Sequence, residues 1–188
     1  MNLPNKLTML RIFLVPVFCI LVMLQLLNGH YLYALLVFII ASVTDTLDGN
    51  IARKRNLVTS FGKFMDPIAD KVLVVSAFIM FVKIGYCPAW VCILVVTRDF
   101  AVSGIRLVAA SESGNVIDAN IWGKIKTVFQ MISIGIILLL ADFSERCWIP
   151  DAFLSVLSDI LMCIVAVLTV FSGAVYIIRN KHLINSYK

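Results

Sequence analysis

The chain has 188 residues, of which 61% are hydrophobic and only 14% charged, with a mean hydropathy of +0.99. Soluble domains run at about 45–50% apolar and about 25% charged, so the composition excludes a disordered chain and argues against an ordinary soluble globule. A formal net charge of +5 in so apolar a chain points to basic loops beside anionic lipid and not to nucleic acid.

A spanning helix needs about 20 mostly apolar residues. Six of them occupy most of this length and leave only short loops. The expected fold is therefore all-α, a single polytopic membrane domain over residues 1–188 with six transmembrane helices. The N-terminal apolar run has no small-residue cleavage site after it and reads as a retained first span, not a signal peptide.

Residues 12–44 contain no Asp, Glu, Lys or Arg, too long a run for one helix. Asn28-Gly29-His30 is the break. Helix 1 is expected at about 8–28, kinked at Pro16, and helix 2 at about 31–53. A polar, basic segment from Arg53 to Lys63 follows. Helix 3 is expected at about 65–84, with Pro67 in its first turn. Gly85 to Pro88 forms a tight turn before helix 4, at about 88–110. Ser111 to Asp118 is a polar loop, helix 5 covers about 120–141, and Pro150 starts helix 6 at about 151–179.

With the N-terminus inside, only Lys83 and Arg146 of the 16 Lys and Arg residues fall on the outer side. The positive-inside bias places both termini in the cytoplasm. The five cysteines form no C-x-x-C pair and read as small apolar helix residues. Cys87 and Cys147 both fall near the outer face, which leaves a bridge between them open.

The acidic residues carry the chemistry. Asp45 and Asp48 are three apart near the end of helix 2, and Asp66 and Asp70 are four apart at the start of helix 3. Each spacing puts two carboxylates on one helical face. Antiparallel packing of helices 2 and 3 brings both pairs to the same cytoplasmic depth. Four carboxylates together repel, so some are protonated or cations sit between them. Alternatively, individual Asp residues cap helices or pair with Arg53, Arg55, Lys63 or Lys71. An oxygen-only donor set favours Mg²⁺ or Mn²⁺. His30 is expected at the opposite face and His182 lies in the tail, so neither suits a zinc site. Gly49, beside Asp48, points to close approach by a ligand or by a neighbouring helix.

Asp45-Thr46-Leu47-Asp48-Gly49-Asn50-Ile51-Ala52-Arg53, then eight residues, then Gly62-Lys63-Phe64-Met65-Asp66-Pro67-Ile68-Ala69-Asp70, resembles the signature of the CDP-alcohol phosphatidyltransferase family. That pattern is D-x2-D-G-x2-A-R-x8-G-x3-D-x3-D, and all eight fixed positions match. Further stretches resemble the bacterial branch of the family that uses sn-glycerol 3-phosphate. They are Asn2 to Thr8 with Arg11, Thr97-Arg98-Asp99, Ser103 with Arg106, and Gly123 to Thr127 with Gln130. Asp99 stands where Glu is commoner, which keeps the charge at shorter reach.

The resemblance implies transfer of a phosphatidyl group from CDP-diacylglycerol to an alcohol, with release of CMP. By resemblance, Asp45, Asp48 and Asp66 ligate a metal pair of Mg²⁺ or Mn²⁺, and Asp70 is ligand, general base or both. Gly49, Ala52, Arg53 and Gly62 line the CDP-diacylglycerol site. The branch resemblance implies sn-glycerol 3-phosphate as acceptor, a homodimer, and residence in the bacterial cytoplasmic membrane with the site facing the cytoplasm. A phosphorylated acceptor needs further cations, and Arg106, Lys124 and Lys126 near the cytoplasmic ends of helices 4 and 5 are the candidates. Arg98 joins them if it faces inward. Those same residues also suit anchoring to anionic lipid. Inositol phosphate, phosphatidylglycerol or serine remain open as acceptors. A divalent-cation carrier is the reading from another class, although it leaves Gly49, Ala52, Arg53 and Gly62 unexplained.

Overall fold

The computed structural model describes residues 3–24, 28–55, 60–113 and 120–179; within these, the side chains of residues 3–7, 45–55, 60–67, 70 and 107–113 lie outside the description. The described residues form six helices: α1 (Leu3–Met23), α2 (His30–Arg55), α3 (Ser60–Ile84), α4 (Ala89–Ser113), α5 (Ile121–Glu145) and α6 (Asp151–Arg179). No strand occurs among them. All six expected helices are present. Pro16 lies inside α1. α3 begins at Ser60, so Pro67 falls past the first turn, not within it. α4 and α5 also run a few residues beyond their expected ends. At the ends of α4 and α5 the helix continues through polar residues without Gly or Pro, which apolar patterning alone reads as loop, whereas α3 runs on through Gly62 and Pro67.

The helices close into a circuit in the order α1, α2, α5, α6, α4, α3, with α3 back against α1 and α2 also touching α3. Lys83 Nζ lies 3.6 Å from Met23 Sδ, joining the ends of α3 and α1. His30 at the start of α2 meets Glu145 at the end of α5, so these termini share one end of the bundle. At the other end Arg179 reaches Asn120 at 3.5 Å. Arg98 and Arg106 of α4 meet Gly173 and Tyr176 of α6 in the same order, so α4 and α6 run parallel.

Helix ends follow from local chemistry. Gly85 takes a φ of +87° after α3. The Tyr86 amide then returns to the Phe81 carbonyl at 2.9 Å, a Schellman closure. α5 closes the same way with Cys147 in the glycine position, at φ 59°. The Cys147 amide bonds Ser144 O at 2.9 Å and the Trp148 amide bonds Phe143 O at 3.0 Å. The Phe143 and Trp148 rings then pack at 5.3 Å, the apolar contact that accompanies this cap. Pro88 and Pro150 each offer a carbonyl to the first free amides of α4 and α6.

The core joins Phe18 and Phe38, rings 6.0 Å apart, with Phe78, Phe81, Ile134, Ile137, Leu154 and Met162. Ala34, Ala41 and Ala77 are fully buried, as small residues at helix contacts allow backbones to approach. The outward faces are apolar too: Phe13, Ile93, Ile121, Val167 and Ile178 are each more than 60% exposed. In α6 the inward face carries Ser158, Thr169, Ser172 and Gly173, while Phe153, Val156, Val167 and Val170 point outward. Buried hydroxyls bond their own helix, as Thr169 does to Val165 O at 2.6 Å and Ser133 to Phe129 O at 2.8 Å. A chain apolar on its outside and small or polar within suits hydrocarbon surroundings. Among the described residues, α5 and α6 are long and apolar enough to cross a bilayer, and the apolar parts of α1 and α2 are shorter. All five cysteines are free, so Cys87 and Cys147 do not pair.

Candidate active site

The signature divides between two helices. Asp45, Asp48, Gly49, Ala52 and Arg53 lie on the last turns of α2; Gly62, Asp66 and Asp70 lie on the first turns of α3. Both stretches are helical, so the spacings of three and four place each pair of Asp positions on one helix face. The side chains of these eight residues lie outside the described residues. Thr44, just before the first Asp, bonds the Ile40 and Ala41 carbonyls at 2.8 Å each. Ala69, just before the last, is buried.

Lys71 follows Asp70 directly and leads into a polar cluster. Its Nζ donates to the Asp99 carbonyl at 3.0 Å and to Ser103 Oγ, tying α3 to α4. The Asp99 carboxylate accepts from Lys126 Nζ at both oxygens, 2.8 and 2.7 Å, tying α4 to α5. Arg98 Nη1 donates to Asp99 Oδ1 at 3.1 Å. Lys126 is 1% exposed and Asp99 18%. A lysine so deep is tolerable only with a hydrogen-bonded counter-charge, and Asp99 supplies it. Arg98 and Lys126 meet this carboxylate and Lys71 meets the backbone carbonyl of the same residue, so Asp99 gathers cationic side chains from three helices.

The expected acceptor residues divide. Lys126 is buried against Asp99. Arg106 lies with its guanidinium 5.4 Å from the centre of the Tyr176 ring, a cation–π contact. Lys124 is exposed. Arg98 faces inward, and its side chain passes Gly123 and Gly173. Gln130 is buried one turn beyond Lys126, and its Nε2 has no acceptor among the described residues. The Nε atoms of Arg98 and Arg106 share that condition. These spare atoms are all donors, which is the chemistry of an anion site. Thr127 bonds the Gly123 carbonyl of its own helix at 3.0 Å. Arg11 and Thr8 of α1 are buried as well.

The ion-pair network was not readable from spacing, because Asp99 and Lys126 are 27 residues apart on different helices. The available signal was electrostatic: an Asp and a Lys each placed within apolar helices require partners. His30 stands at the opposite end of the bundle. Its Nδ1 is 3.3 Å from Glu145 Oε2, well removed from the signature turns of α2. Among the described residues, no group of His, Cys, Asp and Glu is arranged to hold a metal ion.

Comparison with known proteins extends the pattern to nearly the whole chain. The sequence model of the CDP-alcohol phosphatidyltransferase family matches residues 1–172. A Bacillus subtilis protein named CDP-diacylglycerol–glycerol-3-phosphate 3-phosphatidyltransferase is 42% identical over 190 residues, covering 95% of each chain. A Rickettsia typhi protein of the same name is 41% identical over 93% of this chain and 94% of its own. One from Haemophilus influenzae is 34% identical over 94% and 91%.

Proposed function

Because the chain belongs to the CDP-alcohol phosphatidyltransferase family, we propose that it transfers the phosphatidyl group of CDP-diacylglycerol to sn-glycerol 3-phosphate. The products are phosphatidylglycerol phosphate and CMP. The observation that carries this reading is the complete signature on α2 and α3, in a chain whose relatives named for that reaction match it over nearly its full length.

The proposed roles follow the chemistry. Asp45, Asp48, Asp66 and Asp70 form an oxygen-only donor set, which fits hard divalent cations. Two Mg²⁺ or Mn²⁺ ions held there supply positive charge to the pyrophosphate and to the departing CMP. Gly49, Ala52, Arg53 and Gly62 lie on the same turns and are assigned to the nucleotide of CDP-diacylglycerol. Asp70 accepts the proton of the acceptor hydroxyl as its oxygen attacks the phosphatidyl phosphorus and the bond to CMP breaks. Arg106, Lys124 and Lys126, with Arg98, hold the acceptor phosphate. The buried Nε atoms of Arg98 and Arg106, without an acceptor among the described residues, support this, since guanidinium groups bind phosphate through paired hydrogen bonds.

The proposed setting is the bacterial cytoplasmic membrane. All six helices span it as one domain, with both termini and the site on the cytoplasmic side, and the protein works as a homodimer. The apolar outer faces of the helices and the basic bias of the signature end support this reading.

The test is turnover of the purified protein in mixed micelles. Asp45→Asn, Asp48→Asn and Asp66→Asn are each expected to lower turnover at least about 100-fold. Asp70→Asn is expected to lower kcat while CDP-diacylglycerol binding largely survives. Chelation by EDTA is expected to abolish wild-type activity, and Mg²⁺ or Mn²⁺ to restore it. Full activity in chelator would remove the metal assignment.

A further inference from the structure

Nothing in the sequence of α6 marks it as functional, yet α6 packs where the side chain of Arg98 passes. A Cβ added at Gly173 would stand 3.2 Å from Arg98 Cγ and 3.9 Å from its Nε. On the other side, a Cβ at Gly123 would stand 3.5 Å from Arg98 Nη2. Both glycines lie within helices, where alanine is intrinsically the better helix former. The missing Cβ of Gly173 leaves a slot for Arg98 to extend from α4 between α6 and α5, whereas a Cβ at Gly123 would make only ordinary contact.

The arginine in that slot has capacity to spare. Its Nη1 meets Asp99 Oδ1, and Lys126 holds both oxygens of that carboxylate. Arg98 Nε has no acceptor among the described residues. Tyr176 follows Gly173 by three residues, on the same face of α6, and its ring carries Arg106, whose Nε likewise has no acceptor among the described residues. Two guanidiniums of α4 therefore rest on one stripe of α6. Two buried guanidinium donors with no acceptor among the described residues, resting on one face of α6, suit an anion that takes both.

We propose that Gly173 is a positioning residue for the anionic acceptor. Its missing side chain leaves the slot that holds Arg98 extended, and the Gly173–Tyr176 stripe sets where Arg98 and Arg106 meet the acceptor phosphate. This deepens the function proposed above and rests on it for the acceptor's identity.

The experiment measures KM for each substrate in purified full-length Gly173→Ala and Gly173→Val. A misplacement of 1 Å at a reacting centre costs about 100-fold, so a shift of a few tenths is expected to cost about 5- to 10-fold. Gly173→Ala is expected to raise KM for glycerol 3-phosphate by that amount, and Gly173→Val by more. KM for CDP-diacylglycerol moves little, and the unfolding midpoint of Gly173→Ala does not fall. Gly135→Ala, whose Cβ would meet Leu35 Cδ1 at an ordinary 3.7 Å, is the control and changes neither constant. If Gly173 acts through Arg98, Gly173→Ala adds nothing further in an Arg98→Ala background. Parallel rises in both KM values, or an additive double variant, would overturn the slot. If Gly173→Val does not fold, Gly173→Ala alone and in the Arg98→Ala background still decides the outcome. If the wild type uses a different phosphorylated alcohol, the acceptor assigned above fails, and the same series on that alcohol still tests the slot. An uncharged acceptor would overturn both.

Discussion

Asp99 is the residue on which the interior charges depend. Its two oxygens hold Lys126, and its backbone carbonyl holds Lys71 beside the last signature Asp. Breaking a buried pair by removing one partner costs about 3–5 kcal/mol, because the remaining charge stays in the low-dielectric interior. Asp99→Asn is therefore expected to lower unfolding free energy in detergent by about that amount. A variant as stable as wild type would show that Lys126 does not need this carboxylate. The signature Asp positions were legible in the sequence because their spacing is local and a helix turns it directly into a shared face. Asp99 was legible only as a charge out of place. Its partner comes from another helix, and no local pattern encodes which charges meet across a bundle.

At the scale of the element, every helix was visible as an apolar run, and Gly85, Pro88 and Pro150 marked ends correctly. The extensions of α3 to Ser60 and α4 to Ser113 were not visible. Polar residues without a Gly or Pro, as at 111–113, continue a helix as readily as apolar ones, so hydropathy ends too early there; at its start α3 contains Gly62 and Pro67, which read as breakers. The cap of α5 is the other departure: Cys147 occupies a left-handed position usually given to glycine. An L-residue there costs about 1–2 kcal/mol, and the Cys147 side chain is exposed, so little packing is lost on removing it. Cys147→Gly is expected to stabilise the protein by about 1 kcal/mol, read as a higher unfolding midpoint. Cys147→Val is expected to lower it. No change in either direction would mean that the cap does not contribute to stability. α6 shows the limit of patterning most clearly. Its outward face is apolar apart from Ser155 and Asp159 and its two end residues, and the small inward residues acquire meaning only once Arg98 is seen against Gly173.

For the whole molecule, two sets of termini lie at opposite ends of the bundle. The signature turns and most of the basic residues share one end; Cys147, Lys83 and Arg146 belong to the other. The proposed orientation makes Cys147 accessible from outside the cell. A membrane-impermeant maleimide applied to intact spheroplasts is expected to modify the wild type and not Cys147→Ser. Cys87, in the turn at that same end, stays unmodified: it is buried, and desolvation pushes its thiol up to about 12, so the reactive thiolate is scarce. Labelling of Cys147 only after the membrane is opened would invert the topology and place the signature outside.

The central claim concerns what the arginines of α4 and the four Asp positions jointly select: a nucleotide-linked lipid donor and a phosphorylated alcohol. The direct measurement is CMP release by the purified protein from CDP-diacylglycerol, with Mg²⁺ or Mn²⁺, against a panel of glycerol 3-phosphate, inositol phosphate, phosphatidylglycerol and serine. The account predicts rapid release with glycerol 3-phosphate alone, accompanied by an equal amount of phosphatidylglycerol phosphate. Release that prefers another acceptor, or no release with any of them, would contradict it.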